Sequence, residues 1–182
     1  MSTSAMKGLD KVWLTWSWLS ILIIVFIDGL PFLWPAWLYE QKGSPFHVLQ
    51  QLRDYDINVY NDPLIQDHMA PNYMPFLFAI EIGFQLPVVI FNAYRFGKGK
   101  TTTGGHELLL LIYAFETLFS TALCMTHAFY IDPKDFSREQ RDVFLYQLMA
   151  PWVAVPTLMF VDMYWRLYNR VSATNHAVKK NQ

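Results

Sequence analysis

Four long apolar runs alternate with polar stretches along the 182 residues. The first covers about Val12 to Trp34 and the second about Met74 to Tyr94. The third covers about Glu107 to Ile131 and the fourth about Val143 to Trp165. Each is long enough for the ~20 residues a helix needs to cross a bilayer. The pattern predicts an all-α fold: a polytopic membrane protein built as a four-transmembrane-helix bundle. It divides the chain into a polar leader, 1–11, a membrane domain, 12–168, and a polar tail, 169–182. The first run reads as a span rather than a cleaved signal peptide. It exceeds the usual ~7–15 apolar residues, and no small-x-small cleavage pattern follows.

The stretches between the runs carry the breaks. Residues 35–68 are polar, with Pro35, Gly43, Pro45 and Pro63. Amphipathic pieces there, such as Phe46 to Tyr60, are expected to lie across the membrane face or cap the bundle. Pro75 suits a first helical turn, and Pro87 is expected to kink the second span. The Gly/Lys run in 95–106 is a turn; it has neither the spacing nor the preceding strand of a phosphate-binding loop.

Composition sharpens this picture. Charged residues are 16% of the chain against ~25% in soluble proteins, and they cluster between the apolar runs. A net charge of -1 offers no basic footprint for nucleic acid. The single cysteine, Cys124, excludes an intrachain disulfide framework and reads as a packing residue. The five histidines show no ligand spacing, so no metal site is expected, and no cofactor is implied.

Loop charge sets the expected topology. Lys7, Lys11, Arg95, Lys98, Lys100, Arg166, Arg170, Lys179 and Lys180 would share one side. Only Lys42, Arg53, Lys134, Arg138 and Arg141 would lie on the other. Both termini are therefore expected to be cytosolic, with 35–68 lumenal or extracellular. Trp13, Trp16 and Trp18 would form an aromatic belt at one end of the first span, with Trp34, Trp37 and Tyr39 at the other. The ending Lys179-Lys180-Asn181-Gln182 resembles a dilysine retrieval signal, which places the protein in the endoplasmic reticulum membrane.

A few charges sit inside the runs, and intramembrane charges are usually paired and functional. Asp28 lies about six residues from one end of the first span, and Glu81 about six from the matching end of the second, so both sit about 9 Å deep. Equal depth on antiparallel neighbours lets the two carboxyls face each other and share a proton. Such a pair suits a cationic or proton-bearing ligand; the plain alternative is a hydrogen bond that locks the two spans. Gln85 lies one turn from Glu81 on the same face. Glu116 begins a polar stripe with Thr117, Ser120 and Thr121, which serves cavity lining or helix packing equally well. Asp162 reads as an ordinary ion pair with Arg166.

These residues carry a resemblance. Asp28 late in the first span, Asn61-Asp62-Pro63-Leu64 before the second, Glu81 with Phe84-Gln85-Leu86-Pro87 in it, and Ala150-Pro151-Trp152 with Pro156 in the fourth are similar to the EXPERA-domain proteins. Within them the sigma-2 receptor group is the nearer likeness. The resemblance implies an endoplasmic reticulum bundle, often a homodimer, with an intramembrane cavity for sterols, other lipids or hydrophobic amines. It implies that Asp28 pairs with a cationic amine, that Glu81 hydrogen-bonds Asp28, and that Asp62 braces the lumenal cap. It places Gln85, Thr117 and Trp152 at the cavity and links the group to cholesterol homeostasis and trafficking. The same family includes a sterol double-bond isomerase. That enzyme has a histidine where this chain has Ile24 and an asparagine where it has Met149. Three readings therefore stand: a lipid- or amine-binding protein, an isomerase using Asp28, Glu81 and Glu116 as proton carriers, or a structural subunit of a membrane complex.

Overall fold

A computed structural model describes residues 8–66 and 73–180, with side chains as far as 174. The leader before Gly8, His68, Met69 and the lysines of the carboxyl-terminal pair lie outside what is described at side-chain level. All regular structure among the described residues is helical. Four helices are long and apolar enough to cross a membrane: Gly8–Asp28, Met74–Gly97, Gly104–Tyr130 and Arg138–Thr174. The first and last extend beyond their apolar runs, because helices continue into polar turns at the bundle end.

The spans pack chiefly as two pairs, first against second and third against fourth. One end of the bundle, which carries residue 8 and the 97–104 turn, is packed solid. Trp13, Trp16, Val89, Phe96, Leu110, Tyr113, Met159 and Met163 interlock there. Trp13 and Trp16 are therefore not belt residues, as the pattern suggested. They are 1% and 5% exposed, and their indole N–H groups donate inward, to Asp162 at 2.8 Å and to the Tyr113 hydroxyl at 3.2 Å. A tryptophan whose N–H finds a buried partner gains more from the core than from the interface. Trp18, Trp165 and Tyr168 remain outward-facing.

Polar groups tie this end together. Asn92 donates to Ser17 Oγ at 2.7 Å, joining the first two spans. Arg166 bridges Asp10 at 2.7 Å and Asp162 at 2.8 Å. Arg170 pairs with Glu107 at 2.6 Å. The expected Asp162–Arg166 pair is thus one strand of a clamp across the first, third and fourth helices.

The other end is looser, and its helices depart from α geometry. Wide π turns occupy Ile24–Asp28, Asp56–Tyr60, Glu81–Gln85 and Phe144–Met149. In the three spans a proline follows within two or three residues: Pro31, Pro87 and Pro151. Proline cannot donate a helical hydrogen bond, and its ring crowds the carbonyl one turn back. Widening the preceding turn relieves that crowding. The second span has a π turn beside Pro87, at the place where a kink was expected.

The first π turn closes through Gly29 N–H to Ile24 O at 2.8 Å. A Cβ on Gly29 would stand 2.3 Å from that oxygen and 2.8 Å from Leu33 Cδ1. Gly29→Ala is therefore expected to force the turn open and lower the melting temperature of the purified protein by several degrees. An equally small effect of Gly29→Ala and Gly83→Ala, where a Cβ meets open space, would show that the π turn is not required.

Candidate ligand cavity

The looser end encloses a cavity of about 380 Å³. All four spans contribute to its wall, and so does the segment between the first two. Ile23, Phe26, Ile27 and Asp28 come from the first span; Met74, Leu77, Phe78, Glu81 and Gln85 come from the second. Thr117, Ser120, Thr121 and Cys124 come from the third, and Leu148, Met149 and Trp152 from the fourth. The interspan segment adds Leu49, Leu52, Arg53, Asp56, Asp62 and Ile65. The walls are mostly hydrocarbon, with few polar groups, as ligand pockets usually are.

The π turns deliver four of the polar ones. Asp28 ends the first, Asp56 begins the second, and Glu81 and Gln85 bound the third. Such turns widen the helix by one residue and are frequent at functional sites. Asp28 and Glu81 line the same cavity, within reach of a mutual hydrogen bond. That bond needs a donor, so the pair carries one proton when it forms.

Thr117, Ser120, Thr121 and Cys124 sit at i, i+3, i+4 and i+7, one face of the third helix. Glu116 is one position off that face. It is not in the cavity wall, and it stands within reach of Gln85 and Ser120. Ser120, one turn on from Glu116, and Gln85 both line the wall, so Glu116 stands directly behind the cavity residues it was grouped with. One of its carboxylate oxygens is buried without a hydrogen bond. Trp152 lines the cavity and packs its ring 4.8 Å from Trp16, joining the hollow end to the solid one.

The segment between the first two spans covers this end. His47–Tyr55 and the π turn Asp56–Tyr60 end at Asn61, which adopts φ 54°. Asparagine tolerates that left-handed conformation. Its amide donates to the Asp135 carbonyl at 2.9 Å, pinning the cover to the loop between the third and fourth spans. Asp62 Oδ1 then accepts from Leu64 N–H at 2.7 Å, and Pro63 opens the short helix Pro63–Gln66. The Asn-Asp-Pro-Leu motif is thus a reversal, a cap and a helix start. Arg53, from the helix before it, donates to the Ile65 carbonyl and draws the two arms of the cover together.

Asp62 is 4% exposed. Burial pushes its carboxyl up to about 6, against the pull of the Leu64 N–H, and the nearby Asp56 charge adds to the rise. A raised folded value means the native state holds the proton more tightly than the unfolded chain. The stabilisation is full below the ordinary 3.8 and is lost as pH rises through about 6. That difference corresponds to roughly 3 kcal/mol at most. The melting temperature is therefore expected to fall between pH 4 and pH 7 in the wild type and to fall less in Asp62→Asn, whose amide oxygen still accepts from Leu64. Parallel profiles for the two proteins would contradict this.

The fold and site together define a class: an integral membrane helix bundle, solid at one end and hollow at the other, with carboxyl groups in the hollow. Residues 48–163 match the family model EBP, described as EXPERA (EXPanded EBP superfamily). The chain belongs to the EXPERA family. The match includes Asp62, Glu81, Gln85, Thr117 and Trp152 and begins after the first span, so the position of Asp28 rests on the fold alone. No curated protein matches the chain.

Asp56 and Arg53 were not among the residues that sequence reasoning selected. The signal was present: a charged pair at i and i+3 within an amphipathic piece. Nothing local shows that this piece turns its charges over a cavity.

Proposed function

We propose that this protein binds a sterol or another lipid, or a hydrophobic cationic amine, in its acid-lined cavity. In this reading it is an endoplasmic reticulum protein that supports lipid homeostasis or trafficking, similar to the sigma-2 receptor group. The observation that carries it is the Asp28–Glu81 pair set in an otherwise apolar wall. Hydrocarbon fills the walls, while an ammonium donates to Asp28 and the Glu81 O–H holds the other side of that carboxylate. A hydroxyl donates to the same acceptor more weakly. The volume lies in the ~300–1,000 Å³ range of small-molecule sites. Loop charge favours cytosolic termini, which would place the cavity in the lumenal half, and the resemblance favours a homodimer.

The test is titration of purified protein with a hydrophobic amine and a hydroxysterol, alongside mass spectrometry of co-purified lipid. Saturable binding of either is expected. An absence of binding for both, with no retained lipid, overturns the reading. An isomerase reading draws on the same carboxyls as proton carriers. Against it, the position of the enzyme's histidine is Ile24, which is buried and outside the cavity wall. Deuterium uptake into an unsaturated sterol in heavy water would revive it.

A further inference from the structure

The cavity holds more acid than one amine needs. Besides the Asp28–Glu81 pair, its wall includes Asp56 and Asp62. Asp62 is occupied, since its Oδ1 caps Leu64 N–H. Asp56 is not: its Oδ2 is buried and makes no hydrogen bond. Among the described residues the one cation in the wall is Arg53, one turn earlier in the chain. Its guanidinium donates to the Ile65 carbonyl; it makes no direct ion pair with Asp56 among the described residues, although its charge reaches that carboxyl. Thr117, on the third helix, is 3% exposed and lines the same space; its Oγ1 makes no hydrogen bond within normal distance, and the Tyr113 hydroxyl is its polar neighbour.

Buried polar groups in native proteins are nearly always satisfied, and each exception needs an explanation such as a ligand. An acid cluster often holds a metal, but no group of three His, Cys, Asp or Glu among the described residues is close enough to do so. The carboxyls are spread along the wall rather than converged. Spread anionic positions fit a ligand whose positive charges are also spread. Asp56 and Asp28 line the same cavity, so one extended molecule reaches both.

We propose that Asp56 is a second cation-binding position, so that the cavity takes an amphiphile with two protonated nitrogens, one on the Asp28–Glu81 pair and one on Asp56. This rests on reading the cavity as an amine site and goes beyond it by assigning the ligand's second charge. The hydrocarbon part lies against Leu77, Phe78 and Trp152. The Thr117 hydroxyl is available to a further polar group on the ligand.

The test compares decylamine with N-decyl diamines that have three or six methylenes between the nitrogens. Each is titrated into purified full-length protein in one detergent. A charge-assisted hydrogen bond is worth roughly 10–100-fold in affinity. At least one diamine is expected to bind tenfold or more tightly than decylamine. Asp56→Asn should collapse that ratio towards one, lowering diamine affinity far more than monoamine affinity. Asp56→Glu keeps the charge and should keep the preference, which separates loss of charge from a misfolded cover. Asp28→Asn should weaken all three ligands. Equal binding of monoamine and diamines by wild type, with Asp28→Asn weakening both, leaves the amine site standing and overturns the second position. A diamine preference that survives Asp56→Asn also overturns it. No binding of any amine by wild type removes the amine site and this inference together.

Discussion

Asp28→Asn is expected to weaken binding of a hydrophobic amine by roughly 100-fold or more. An ammonium brought into an apolar cavity loses its hydration and needs an opposite charge beside it. Breaking a buried ion pair by removing one partner costs about 3–5 kcal/mol. Each 1.4 kcal/mol is tenfold in affinity. The asparagine amide keeps the shape of Asp28 but supplies no charge, and it meets Glu81 with a donor as well as an acceptor. Glu81→Gln should cost less, because its amide N–H replaces the O–H that Glu81 donates to Asp28. Titration of both variants by a fluorescent or radiolabelled amine, with melting curves as the folding control, measures the difference. Undiminished affinity in a folded Asp28→Asn variant would move the cation elsewhere in the cavity.

Arg166→Ala is expected to be the most destabilising substitution at the solid end, by about 3–5 kcal/mol. Arg166 is the shared partner of Asp10 and Asp162 and also donates to Thr102. Its removal leaves Asp10, 1% exposed, as an uncompensated buried charge. Asp162 retains only the Trp13 N–H. Arg170→Ala should cost less: Glu107 is also 1% exposed, but Arg170 is 50% exposed and holds one acid rather than two, and Glu107 keeps the Thr102 hydroxyl at 2.5 Å. Chemical or thermal unfolding in detergent ranks the two. Equal losses would mean that the clamp works by general charge balance rather than by burial of Asp10.

The two ends of the molecule differ in how far they can be read from the chain. At the hollow end the depth argument correctly brought Asp28 and Glu81 together, because depth along a span depends only on residue count. The family resemblance, rather than depth, put Gln85, Thr117 and Trp152 at the cavity, and all three line it. Glu116, for which the sequence left cavity lining and packing open, stands beside the wall, one turn from Ser120. At the solid end the local reading of Asp162 and Arg166 found one contact of a larger network. Asp10, Glu107, Arg170 and Thr102 enter it from positions far apart in sequence. Trp13 looked like an interface residue because aromatic belts are recognised by position alone, without knowledge of a buried acceptor.

The sequence by itself determined that this is a membrane bundle of four helices, and which apolar runs contain a carboxylate. Bilayer thickness sets helix length, and the cost of an intramembrane charge makes Asp28 and Glu81 conspicuous. Both are one-dimensional constraints. Only the tertiary structure decided the phase of each helix and the partners of each charge. A π turn adds a residue to one turn, so every side chain beyond it rotates relative to an ideal α-helical count. Four such turns border the cavity. Only the folded cover placed Asp56 in the same space as Asp28, since its approach depends on Asn61 reversing the chain and binding the loop at Asp135.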